Sequence, residues 1–228
     1  MASAPGAQPS TASPVAHGRA GRLWGRAFAA IYDPVMRQSE RSGNADRRRE
    51  LLRDARGTVL ELGAGTGANL EHYPDGVELV LTEPEGPMAR RLREHVAQRR
   101  PGARVIEAAA ERLPLPDASV DTVVATLVLC TVGDLGAALA EIRRVLRPDG
   151  HLLFLEHVAS EPGTRERRIQ DAIERPWHAL AHGCHTNRET VAALQAAGFA
   201  VDDLRRDRLG GLLLTAPLVW GRAHVAAG

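Results

Sequence analysis

The run VLELGAGTGANL at residues 59–70 decides the fold. Apolar residues lead to Glu61, after which Gly63, Gly65 and Gly67 alternate before helix-forming residues resume. Where a backbone must turn sharply or lie against a ligand, a β-carbon would collide, so glycine is needed. A buried strand ending in such a loop offers main-chain amides to a small molecule at the carboxyl edge of a parallel sheet. A plain strand-to-helix turn favours glycine too, so the loop alone identifies nothing. Glu83 sharpens it: twenty residues after Gly63, it ends the next apolar run. A carboxylate there can accept hydrogen bonds from both hydroxyls of a ribose. The dinucleotide fingerprint G-x-G-x-x-G ends here on Ala68 instead of its third glycine. Alanine is tolerated at that position, and its presence favours a nucleoside without a pyrophosphate.

Working outward, strands are expected at 58–62, 77–82, 104–107, 120–126 and 151–156, and helices at 44–55, 68–72, 86–98, 135–146, 164–182 and 187–197. Two strand-like runs, 199–206 and 218–225, close the chain. This alternation predicts an α/β, Rossmann-like, mostly parallel sheet with helices on both faces and a C-terminal antiparallel hairpin. Residues 1–18, rich in Ala, Pro, Ser and Gly, bury too little surface to offset chain entropy and read as a disordered tail. They lack the hydrophobic centre of a secretory signal. Trp24, Phe28, Ile31 and Val35 recur at helical spacing with a break near Pro34. Residues 19–56 are therefore expected to form N-terminal helices capping the site, and residues 57–228 a single domain. Docking on its own domain is the ordinary reading of that stripe, with peripheral membrane contact as the alternative.

Composition narrows the function classes. The chain has 228 residues, 44% hydrophobic and 25% charged, with a net charge of +1. Its 29 basic side chains are all arginine, yet no long basic tract offers a field for nucleic acid. No apolar run approaches the about 20 residues of a membrane span. Two cysteines, Cys130 and Cys184, make no disulfide framework, so a reducing, cytoplasmic setting is expected. An arginine-only, alanine-rich chain points to a GC-rich bacterial genome.

Four ordered stretches carry a resemblance: ELGAGTGANL, LTEPEGPMARRLREH, AAAERLPLPDASVDTVVATLVLCTV and EIRRVLRPDGHLLFLEHV, within residues 58–158. Together they resemble the class I S-adenosylmethionine-dependent methyltransferases. GTGANL, TLVLCTV, LEHVASE and PWHALAHGCHTNRE resemble the group that includes mammalian thiol methyltransferases, and no counterpart of the membrane anchor of those members is expected here. The resemblance implies a seven-stranded sheet, S-adenosyl-L-methionine as cofactor and S-adenosyl-L-homocysteine as product. It implies that Gly63, Ala64, Gly65, Gly67 and Asn69 form the loop under the methionine part, with Glu61 near its ammonium. Glu83 would take the ribose hydroxyls, Pro84 and Met88 would flank the adenine, and Ala110 and Glu111 would meet its edge. Many relatives carry an aspartate where this chain has Ala109, which weakens one expected bond to the adenine amine. Thr126 and Leu127 would line the cofactor, and Tyr32 would cap it.

Methyl transfer from a sulfonium demands in-line orientation and exclusion of water more than any particular acid or base. A lid is expected from the helix around Tyr32, residues 156–184 and residues 207–217. A thiol acceptor, with pKa near about 8.5, needs little activation; a hydroxyl would need a base, for which His157, His178 and His185 are candidates. His178, His182, Cys184 and His185 suggest a metal cluster by spacing. No H-E-x-x-H pattern accompanies them, the resemblance implies no metal, and none is expected. The acceptor is expected to be a small molecule, with a thiol, amine, hydroxyl or ring carbon of a secondary metabolite all open. A dinucleotide-dependent oxidoreductase on a related fold is the competing class.

Overall fold

The computed structural model describes residues 43–181, 183–209 and 216–226. Seven strands appear in chain order: β1 Thr58–Leu62, β2 Glu78–Thr82, β3 Arg104–Ile106, β4 Val120–Thr126, β5 Leu146–His157, β6 Phe199–Leu209 and β7 Ala216–Val225. They form one sheet in the order β3-β2-β1-β4-β5-β7-β6. The pairs β1–β2, β1–β4, β2–β3 and β4–β5 run parallel. Strand β7 inserts antiparallel between β5 and β6, giving the expected hairpin. Helices are α1 Ala45–Leu52, α2 Gly86–Arg99, α3 Leu135–Val145, α4 Arg165–Leu180 and α5 Thr190–Ala196.

The central strands read as unbroken apolar runs because both faces are covered. Alternate residues go to opposite cores, as the two-residue period of a strand requires. Leu60, Leu62, Val123, Ala125, Leu152 and Phe154 face one core with Leu139 and Ile142 of α3. Val59, Leu81, Val124, Leu153 and Leu155 face the other with Leu52 of α1 and Leu92 and Val96 of α2. Helix starts follow their local chemistry: the Asp134 carboxylate accepts the Ala137 N–H at 3.0 Å, and the Thr164 hydroxyl accepts the Arg167 N–H at 3.2 Å.

Two expectations need correction. Residues 68–72 are not helical but a run of turns. Gly67, Leu70 and His72 donate to the carbonyls of Ala64, Gly67 and Asn69, three residues back in each case. Gly67 at φ +92° breaks α-helical geometry at its start, and the Asn69 side chain is engaged elsewhere, as described below. Strand β5 begins at Leu146, five residues before the expected start, with an irregular register between Val120 and Thr122 of β4. The expected tail at 1–18, the capping helices up to residue 42 and Tyr32 lie outside the described residues. Among the described residues, no helix is long and apolar enough to cross a membrane.

Phe154 is the largest fully buried side chain of the core. Phe154→Ala is expected to cost about 3–5 kcal/mol of stability, the range for emptying a packed aromatic site. In urea this should appear as a lower midpoint at an unchanged m-value.

Candidate active site

The strand order reverses direction between β1 and β4, so the crevice beyond their carboxyl ends is where an open α/β sheet binds ligands. The glycine loop lies there, with Gly63, Gly65 and Gly67 at φ +53°, +58° and +92°. A β-carbon on Gly63 would stand 2.4 Å from Val128 Cγ2, and one on Gly67 2.6 Å from Leu70 Cδ1. Bare backbone is thus compulsory at both places, for conformation and for space. On the far side of the crevice Leu127 also takes a left-handed φ of +58°, a conformation costing a side-chain-bearing residue about 1–2 kcal/mol. Its N–H donates to the Leu155 carbonyl at 2.8 Å, which holds the turn. Strain of this kind concentrates at functional sites.

Glu83, at the end of β2, reaches across to the loop. One carboxylate oxygen accepts the Gly65 N–H at 2.9 Å and the other the Glu85 N–H at 3.0 Å. Burial raises its pKa, with the two amides acting in opposition. The carboxylate is therefore fixed in place with acceptor capacity left over. Pro84 is exposed and Met88 is buried at the start of α2. Ala110 is buried, and the Glu111 carboxylate accepts from Gly133 and Asp134 N–H at 2.8 and 3.3 Å.

Behind the loop lies a buried polar network. Glu61, 2% exposed, accepts Asn69 Nδ2 at 2.9 Å and the Tyr73 hydroxyl at 2.6 Å. Arg48 of α1 donates to Asn69 Oδ1 and Thr126 Oγ1, both at 2.8 Å, and Asn69 Nδ2 also reaches Thr126 Oγ1 at 3.0 Å. Burial pushes the Glu61 pKa up to about 7, against the pull of Tyr73, Arg48 and Asn69. A carboxyl so poised changes charge when a cation comes near.

The rim beyond β4 and β5 is organised differently. Glu156, fully buried, accepts the N–H groups of Val128, Leu129 and Cys130 at 3.0, 2.9 and 3.2 Å. Desolvation raises its pKa to about 7 despite those donors. His157 Nε2 stands 2.8 Å from Cys184 Sγ. Hydrogen bonding from the Cys130 thiol and then from His157 holds the Cys184 thiol down at about 4, while Cys130 lies well above its ordinary range. His185 pairs with Glu174 at 2.6 Å, and His178 is exposed on α4 with its ring 4.6 Å from that of His185.

The residues expected to touch a cofactor therefore meet along one edge, except Tyr32, which lies outside the described residues. Asn69 is spent on Glu61, Thr126 and Arg48 and supports the loop from behind. Sequence reasoning missed Arg48, Tyr73 and Glu156. Three consecutive arginines at 47–49 do not reveal which one is buried. The convergence of Cys130 with His157 and Cys184 was equally hidden, since spacing had grouped Cys184 with neighbouring histidines.

A family model described as a methyltransferase domain matches residues 60–154. Over 203 residues the chain is 35% identical to the thiol S-methyltransferase TMT1A of Homo sapiens, covering 87% of this chain and 80% of that protein. It is 39% identical over 165 residues to TMT1B of Mus musculus, covering 68% of each. Among solved structures, a methyltransferase of Thermotoga maritima superposes with a TM-score of 0.64 at 19% identity, over 89% of this chain and 98% of that one. The 1,6-didemethyltoxoflavin-N1-methyltransferase of Burkholderia thailandensis, solved with S-adenosylhomocysteine, gives 0.65 at 17% identity, over 94% and 93%. At those identities the structural likeness is one of fold.

The Arg48–Asn69–Glu61 network generates a test of its own. Asn69→Ala removes one buried partner from each of Arg48 and Glu61, and should lower stability by about 1–3 kcal/mol. Equilibrium unfolding in urea reads this directly; an unchanged midpoint would show that the network does not hold the loop.

Proposed function

The chain belongs to the class I S-adenosylmethionine-dependent methyltransferases, and from that premise we propose that its acceptor is a small-molecule thiol, methylated on sulfur. The cofactor site rests on one observation above others: the Glu83 carboxylate is tied to Gly65 N–H in a loop with no room for a β-carbon at Gly63 or Gly67. Thiol preference rests on similarity to the thiol S-methyltransferases.

The rim residues fit an adenosyl sulfonium. Gly63, Ala64, Gly65 and Gly67 would lie beneath the methionine part, with Thr126 and Leu127 along its other side. Glu61, held by Asn69 and Tyr73, would face the ammonium group. Glu83 would accept the two ribose hydroxyls, and Pro84, Met88, Ala110 and Glu111 would border the adenine. Ala109 offers that ring no side-chain acceptor. Bound S-adenosylmethionine supplies a methyl group on a cationic sulfur that a nucleophile displaces in line. The protein's part is then to orient the two sulfurs and keep water out. A thiol is already a few per cent thiolate near neutrality, so no dedicated base is required. We therefore give proton transfer to neither His157, whose Nε2 faces Cys184, nor His178, exposed on α4. The free thiols of Cys130 and Cys184 fit a reducing, cytoplasmic setting.

A radiolabelled-methyl transfer assay over thiols, indoles, amines and phenols tests the acceptor: thiols should take label first, and label confined to another class overturns the thiol reading. Glu83→Ala should weaken cofactor binding by about 1–3 kcal/mol, the scale of lost hydrogen bonds to a charged group. Unchanged calorimetric affinity would remove the ribose assignment.

Binding should also depend on pH. The free protein holds the Glu61 carboxyl at about 7, and a bound ammonium favours its ionised form. Affinity should thus rise as pH increases through about 7, with proton release on binding below that point. It should fall again above about 8, where the cofactor's own amine begins to lose its proton. Calorimetry in two buffers of different ionisation enthalpy measures the released proton. Glu61→Gln should reduce it. A full-sized release in that variant would place the titrating group elsewhere.

A further inference from the structure

Cys130 follows β4, His157 ends β5 and Cys184 follows α4, so three separated segments bring their side chains to one point. The donor atoms of these three residues all lie within 4.8 Å of one another, and His157 Nε2 is 2.8 Å from Cys184 Sγ. Zinc bound tetrahedrally, with metal–sulfur bonds of about 2.3 Å and metal–nitrogen bonds of about 2.0–2.1 Å, sets its donors about 3.4–3.8 Å apart. The Nε2–Sγ distance is shorter than that spacing, and the limit of 4.8 Å on the others keeps it within reach of small side-chain adjustments. Among the described residues this is the one place where three metal-ligating side chains meet.

The surrounding frame is built to hold them. The His185 N–H donates to the Cys130 carbonyl at 2.8 Å, tying the segment that carries Cys184 to the turn that carries Cys130. Arg188 Nη1 donates to the carbonyls of Leu129 and Val132 at 2.6 and 2.8 Å, clamping that turn from the same side. Glu156, next to His157, receives the Cys130 N–H at 3.2 Å. Thiolate pairs and imidazole select the zinc class among divalent ions. Two thiolates, a neutral imidazole and a divalent cation together carry no net charge, which suits a site sheltered from water. Cys130 is buried, while His157 and Cys184 keep partial exposure.

We infer that Cys130, His157 and Cys184 form a three-donor site for a soft divalent ion of the zinc class, with its fourth position open. Three protein ligands and one free position are the hallmark of a reactive zinc site; closed structural sites use four. The sequence pattern, which grouped Cys184 with the histidines of residues 178–185, pointed away from metal because the true companions of Cys184 are 27 and 54 residues distant in the chain.

The test uses the full-length chain expressed in zinc-supplemented medium and passed over a weak chelator. Elemental analysis should find about one zinc per chain. Apo protein titrated with cobalt(II) should show near-ultraviolet sulfur-to-metal charge transfer and the intense visible bands of tetrahedral cobalt. Cys130→Ser and Cys184→Ser should each lose the charge-transfer intensity and at least a tenfold share of cobalt affinity. His157→Cys, which keeps three donors, should retain it, and His178→Asn should change nothing. Circular dichroism and S-adenosylmethionine calorimetry run on the same samples report folding and the cofactor site separately. Trace metal and no thiolate–cobalt absorption in the folded wild-type chain would overturn the site. Wild-type absorption surviving in a folded Cys130→Ser, Cys184→Ser double variant would overturn it equally.

Discussion

A carboxylate buried near the carboxyl end of β1 is the constraint on which the rest of the rim depends. Glu61 has almost no contact with water, so its charge must be met by protein groups or by a ligand. Asn69 and Tyr73 meet part of that need, and Arg48 approaches through Asn69. These three bonds draw the chain from residues 69 to 73 inward. The segment becomes a run of turns that caps the loop, and Asn69 in the middle of a helix could not reach all three partners. Burial of one charge therefore shapes both the local backbone and the floor of the crevice.

The opposite bank repeats the device with another carboxylate. Glu156 stands one residue before the end of β5 as Glu61 does in β1, and it gathers three consecutive main-chain amides of the turn after β4. That turn contains Val128, whose methyl group fills the space a β-carbon on Gly63 would need. The two banks are thus coupled by packing: the Glu156 bonds set Val128, and Val128 makes glycine obligatory at 63. A crevice whose walls are fixed in this way needs little rearrangement to bind. Such preorganisation is where most catalytic advantage in group transfer lies.

Much of this was legible in the sequence, and the reason is physical. Conformations open only to glycine, an acidic residue at the end of the next strand and a two-residue period in buried strands all leave local marks. Gly63, Gly65, Gly67, Glu83 and the boundaries of β1 and β4 could be read for that reason. The helix expected at residues 68–72 failed because alanine, asparagine and leucine have acceptable helical propensity, and tertiary hydrogen bonds to Asn69 overrode it. Arg48 could not be told from Arg47 and Arg49, since only packing distinguishes the buried one. The early start of β5 at Leu146 lies in RPDG, a turn-like string whose strand pairing comes from the neighbour β4.

The two banks of the crevice differ in how they are encoded, and this explains why one could be read and the other could not. The glycine loop and Glu83 come from continuous chain: a strand, its loop and the end of the next strand. These residues sit within short reach of one another along the sequence. The rim beyond β4 and β5 is assembled from Cys130, His157, Glu174, Cys184 and Arg188, which reach one another only after β5, α4 and the segment following it have packed. Side chains joined across such separations leave no periodic trace. Their chemistry shows only when distances are available, and here those distances join two thiols and an imidazole at the rim beyond β4 and β5.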